Sequence, residues 1–137
     1  MYKFVKDADC GVIFMNIRLD GRYKFKMMLD TGASSTTFDI NALLMAEYPI
    51  ENVIETGMVE TSGGIIEVDV IETKAISAFG HTVRGMNVQI YDFFKQGILS
   101  DYDGLLGLDF FENTKFTIDM DNQTIEVVKA LNPPKGA

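Results

Sequence analysis

Tryptophan is missing from this 137-residue chain, and cysteine and histidine occur once each, as Cys10 and His81. A lone cysteine cannot close an internal disulfide, which suits a reducing compartment, and the expected location is the cytoplasm. Neither Cys10 nor His81 lies in a motif that would support a thiol peptidase, and His81, after Gly80, reads as a surface residue in a hairpin turn. No apolar run reaches the roughly 18 residues of a membrane span. The opening stretch MYKFVKDADCG lacks the apolar centre of a secretory signal, so no membrane partner is expected. Basic residues are the scarcer charge, 12 against 20 acidic, leaving a net charge of −8. Without an Arg-rich run or basic patch, nucleic acid is not expected as a partner either, and the acidity reads as an aid to solubility.

What remains is an ordinary globular composition, 47% hydrophobic and 23% charged, of a length that makes one domain over residues 1–137. Its core is expected over about 11–128, with 129–137 a loose tail. Most of the chain reads as short strands, largely antiparallel. Asp20-Gly21 separates two extended runs and marks a hairpin. Tyr23 and Phe25 alternate with Lys24 and Lys26 until Met27-Met28-Leu29 turns apolar on both faces, just before Asp30. A helix is expected from Asp39 to Tyr48: Asp39 caps it, Ile40, Leu43 and Leu44 share a face, and Pro49 ends it. Val68 and Val70, then Met86, Val88 and Ile90, alternate with polar residues as strands do. Leu108–Asn113 reads as a short helix, followed by a hairpin turning at Asp121-Asn122. The fold class is all-β with one or two short helices, in a closed or folded sheet.

One stretch carries chemistry. In FKMMLDTGASS, an apolar strand delivers the carboxylate of Asp30 into a turn. Thr31 brings a hydroxyl able to tie that turn to nearby backbone. Gly32 lets backbone approach where a Cβ would collide. An Asp-Thr-Gly-Ala or Asp-Thr-Gly-Ser arises by chance in about one chain in a hundred of this length or fewer. The stretch resembles the active-site turn of aspartic peptidases. MVETSGGIIEV is similar to that family's flap, a hairpin whose glycine-rich tip, Thr61, Ser62, Gly63 and Gly64, folds over substrate. Leu105-Leu106-Gly107 resembles the apolar-apolar-Gly element that packs behind the catalytic turn. All three occur in the family's order between Gly11 and Val128, so the chain resembles the retropepsin-like, single-domain aspartic peptidases of the cellular or bacterial branch, which implies a closed acid-protease barrel.

The resemblance implies hydrolysis of peptide bonds by a water held between two carboxylates that share a proton. The chain has one Asp-Thr-Gly and is too short for a duplicated form, so the second carboxylate is expected from an identical chain across a two-fold axis. That implies a homodimer acting on peptide or protein, with Asp30 catalytic, Thr31, Gly32 and Ala33 supporting it, and neither metal nor cofactor. Ala33 cannot donate the hydrogen bond that a serine there would offer, which points to activity at mildly acidic pH.

Other readings compete. The same fold can serve as a dimeric peptide-binding or scaffold module with little or no catalysis. SDYDGLL, from Ser100, has the Asp-x-Asp-Gly pattern of a magnesium-dependent phosphotransferase, with Asp101 as nucleophile and Asp103 as acid–base; that chemistry needs a parallel sheet of βαβ units. DMDNQTIE, from Asp119, lacks the glycine and spacing of a calcium loop and reads as a turn. Asp101, Asp103, Asp109 and Glu112, with no His or Cys beside them, read as a solvated acidic edge.

Overall fold

Alternation along IFMNIRL and YKFKMML builds the central hairpin. In the computed structural model, which describes residues 1–6, 11–50, 53–61, 64–98 and 101–130, two short strands come first, β1 (Tyr2–Lys3) and β2 (Val5–Lys6). The hairpin is β3 (Ile13–Leu19) and β4 (Tyr23–Leu29). Asp20 and Gly21 turn it with φ of 54° and 70°, a left-handed pair that aspartate and glycine tolerate. β3 buries Met15, Ile17 and Leu19 and β4 buries Phe25 and Met27, while Asn16, Arg18 and Lys24 face out.

β5 (Thr37–Asp39) leads into α1 (Ile40–Met45), whose first turn is capped by the Asp39 carboxylate accepting the Asn41 N–H at 3.3 Å. The helix is shorter than expected. Glu47 takes a φ of 57°, and the Tyr48 N–H turns back to the Leu43 carbonyl. Leu43 is fully buried, but Leu44 is 59% exposed, so the expected shared face carries only part of its apolar set inward.

β6 (Val53–Thr61) and β7 (Gly64–Glu72) form a long antiparallel hairpin, in register from Val53↔Ile71 to Thr61↔Gly64 with one irregularity at Val53/Glu55. Ser62 and Gly63, at its tip, lie outside the described residues. β8 (Ala75–Ala78), β9 (His81–Arg84), β10 (Asn87–Tyr91) and β11 (Gly104–Leu106) follow. A 3₁₀ helix spans Leu108–Phe111, and the last hairpin is β12 (Thr114–Asp119) with β13 (Thr124–Lys129).

The larger sheet runs β6-β7-β10-β5-β11-β4-β3-β8-β9, with β2 also on β3. Among the described residues the expected closed barrel is not formed: β6 and β9 end the ladder without pairing to each other, and the sheet stays open. Nor is it wholly antiparallel. β11 lies parallel to β4 and β10 parallel to β5, because loops carry the chain back before each of these strands joins. A second sheet, β1-β13-β12, closes one side, and Phe4 packs into the core beside it. The core gathers Phe25, Met27, Phe38, Val88, Ile90, Leu106 and Phe110.

Asp20 does more than turn a hairpin. Its carboxylate accepts the N–H groups of Lys74 and Ala75 at 2.8 and 3.1 Å and the Tyr48 hydroxyl at 2.9 Å. One side chain thus ties the β3–β4 turn to β8 and to the segment after α1. Burial and this carboxylate together push the Tyr48 hydroxyl's pKa well above its ordinary value.

Candidate active site

The parallel pair β4 and β11 positions the site. Gly104, Leu105 and Leu106 lie beside Met27, Met28 and Leu29, so both strands end at one level. The Asp30 N–H donates to the Leu106 carbonyl at 3.0 Å, carrying the ladder one step into the turn. The Ala33 N–H donates to the Asp30 carbonyl at 3.1 Å, and the Ala33 carbonyl accepts the Leu108 N–H at 2.8 Å. Two segments distant in sequence are thereby laced through backbone groups at the turn itself.

At the centre, Asp30 is half-buried, with Thr31 and Gly32 exposed beside it. The Gly32 N–H donates to Asp30 Oδ1 at 3.0 Å and so fixes the plane of the carboxylate. A Cβ on Gly32 would stand 3.2 Å from that oxygen, which explains the glycine: a side chain would crowd the group it serves. Among the described residues the Thr31 hydroxyl has no hydrogen-bond partner, and no tie from it to nearby backbone is made there. Ala33 is half-buried, and its carbonyl rather than its methyl holds the turn.

Behind the turn, the order Leu105-Leu106-Gly107 has a geometric reason. Leu106 is fully buried. A Cβ on Gly107 would meet the Ala33 carbonyl oxygen and the Ser35 carbonyl at 2.8 Å, a separation that Cβ atoms do not tolerate. The Gly107 N–H donates to the hydroxyl oxygen of fully buried Thr36 at 3.1 Å. Thr36 in turn gives its hydroxyl proton to Asp109 Oδ1 at 2.6 Å and its N–H to Oδ2 at 2.8 Å, and Oδ1 also accepts the Phe110 N–H at 2.9 Å. Asp109 is therefore not part of a solvated acidic edge, as expected from its neighbours. It sits in the first turn of the 3₁₀ helix, where it accepts the Phe110 N–H, and clamps the return of the Asp30 turn. Sequence reading did not single out Thr36 and gave Asp109 a surface role; the spacing of Asp109 two residues after Gly107 is the only local sign of their pairing.

The other acids have separate duties. Asp103 Oδ2 accepts the Lys26 N–H at 2.8 Å, while the backbone of Asp103 pairs with Lys26 and Asp39. Asp101 is exposed. With Asp103 spent on backbone and, among the described residues, no βαβ unit in the sheet order, the phosphotransferase reading has no site to occupy. Asp119 accepts the N–H and side-chain amide of Asn122, as a hairpin turn requires. Among the described residues no three His, Cys, Asp or Glu side chains gather as metal ligands would. Cys10 and Ser100 lie outside the described residues.

His81 is not in the turn, which is made by Phe79 and Gly80 with φ of 53° and 71°. It opens β9 with its ring edge-on to Phe110, 5.1 Å between centroids, and its Nε2 is buried without a partner among the described residues. Burial holds the imidazole below its ordinary pKa of 6.5.

Glycine-tipped hairpin, strand-borne aspartate and the packed glycine behind it all belong to one larger pattern. Among solved structures, the fold is similar to the crystal structure of a retropepsin-like aspartic protease from Rickettsia conorii, with a TM-score of 0.63 and 21% identity. The match covers 91% of this chain and 90% of that one; at such identity it speaks for the fold. No curated protein sequence matches. Among the described residues no helix is long and apolar enough to cross a membrane. The sequence profile of the aspartyl protease family matches residues 15–110, from β3 to the 3₁₀ helix; the chain, with its retropepsin-like fold, belongs to the aspartyl protease family.

Proposed function

We propose that the chain is an aspartic endopeptidase that works as a homodimer, with Asp30 of each copy forming the catalytic pair. One observation carries this reading. Asp30 is half-exposed and locked by its turn, with Oδ1 taken by the Gly32 N–H and, among the described residues, no cation to neutralise it. A carboxylate so held is ready to face a second one about 3 Å away, as the class requires, and two such groups share one proton. The ionised member takes a proton from water, which attacks the scissile carbonyl. The protonated member donates to the carbonyl oxygen, giving a tetrahedral intermediate without an acyl-enzyme. The β6–β7 hairpin acts as the flap, with Thr61, Ser62, Gly63 and Gly64 over an extended peptide. Leu105, Leu106 and Gly107 hold the turn from behind.

The test is incubation with a diverse peptide pool between pH 3 and pH 7. Cleavage is expected, blocked by a statine-containing peptide and reduced roughly 10³-fold by Asp30→Asn, as loss of acid–base catalysis predicts. Binding without cleavage by the unaltered protein would instead make it a peptide-binding module. A protein that stays monomeric with peptide present would sink the dyad.

A further inference from the structure

The four adjacent strands β4, β3, β8 and β9 contain no acidic residue, in a chain with 20 of them. Their outward face carries Arg18, Lys24, Lys26 and Arg84. Arg18 stands directly opposite Lys24, and Asn16 opposite Lys26, while Ile17, Leu19 and Phe25 fill the other face. Like charges placed opposite each other across a ladder destabilise it. Among the described residues neither Arg18 nor Lys24 has an ion-pair partner, and the Lys26 ammonium rests over the Phe14 ring at 4.3 Å. Two cavities open on this face and meet at Asn16. One of about 460 Å³ is lined by Lys3, Phe14 and Lys26, and one of about 310 Å³ by Arg18, Lys24 and Ser77.

We infer that this face is a docking surface for an acidic segment of a polypeptide substrate. Complementarity of charge points to the occupant: a protein of net charge −8 repels a polyanion as long as a nucleic acid, while a short run of Asp and Glu meets only the local cations. The path points to a substrate. Alternation puts Lys24, Lys26 and Met28 on one face of β4, leading to Asp30. At about 3.3 Å per residue, Lys26 lies some 13 Å and Lys24 some 20 Å along the strand from Asp30. An extended peptide places carboxylates there about four to six residues from the bond at Asp30. Asn16, between the two cavities, is placed to pair with the peptide's amide groups. The naming of the segment as substrate rests on the proposed peptidase activity; the docking does not.

The test therefore uses the Asp30→Asn protein, in which binding is read without cleavage. Fluorescence anisotropy compares a labelled ten-residue peptide rich in Asp and Glu, the same peptide with Asn and Gln, and a ten-nucleotide single strand. The acidic peptide is expected to bind most tightly, to weaken as salt rises, and to lose about tenfold in affinity in the triple variant Arg18→Gln, Lys24→Gln, Lys26→Gln. Thermal melting confirms that the triple variant folds, and each single variant is expected to lose about twofold to threefold. Equal binding of the neutral peptide, affinity unchanged in the triple variant, tighter binding of the oligonucleotide, or salt-sensitive self-association through this face would each overturn the inference. Docking by the Asp30→Asn protein, with no hydrolysis by the unaltered one, would retain the surface and discard the peptidase.

Discussion

The Asp30 turn and the β6–β7 hairpin are both glycine-bearing bends, built to opposite rules. The turn is held from two sides by backbone hydrogen bonds, with buried Thr36 and Asp109 clamped behind it. The hairpin sits at the end of the sheet, where β6 pairs with β7 alone. Met58 and Ile65 there are 65% and 69% exposed, with little to pack against inside one chain. For the proposed peptidase, rigid placement of a reacting carboxylate needs the first construction, since small displacements cost rate. The proposed flap, a cover that opens and closes, needs the second, drawn from the weakly stabilised end of a fold.

Breaking the rigid side gives the largest effects. Gly107→Ala forces a methyl against the carbonyls of Ala33 and Ser35; a loss of about 1–3 kcal/mol in denaturant unfolding is expected, with peptidase activity abolished because Asp30 moves. Thr36→Val keeps the shape and the backbone N–H bond to Asp109 but takes the hydroxyl donor from Asp109 Oδ1 and leaves the Gly107 N–H without its acceptor. Denaturant unfolding should show about 1–3 kcal/mol lost, and turnover should fall with little change in KM. On the exposed side, Ile65→Ser should change stability by no more than about 0.5 kcal/mol yet raise the KM of the proposed peptidase, as steady-state kinetics would show. Equal losses of stability from Thr36→Val and Ile65→Ser would erase the contrast.

The smallest effect concerns acid. His81 binds protons less readily folded than unfolded, because burial lowers its pKa from 6.5. The unfolded chain thus takes up more protons below that value, so His81 leaves stability intact above about pH 6.5 and erodes it as pH falls. His81→Phe should flatten the slope of melting temperature against pH between 7 and 5. An unchanged slope would place the acid sensitivity elsewhere.

The local devices were legible in the chain. Asp39 announces a helix cap, Asp20-Gly21 a hairpin, and Asp30-Thr31-Gly32 a turn, because each acts on backbone within a few residues. What could not be read is what depends on remote partners. Gly104-Leu105-Leu106 is too short to reveal that it slots between β4 and β5. Asp109 looks like any surface acid until Thr36 is brought beside it. Asp20 signals a turn, but its grip on Lys74, Ala75 and Tyr48 involves segments far down the chain. His81 likewise shows nothing locally of the ring of Phe110.

The insertion of β11 beside β4 also sets a timetable. The Gly107 N–H and the Thr36 hydroxyl it meets are 71 residues apart, so the cradle of Asp30 closes only after most of the chain has been made. Contacts of such separation form late and slowly. A nascent polypeptide released early would carry the acid residue but not the frame that aims it.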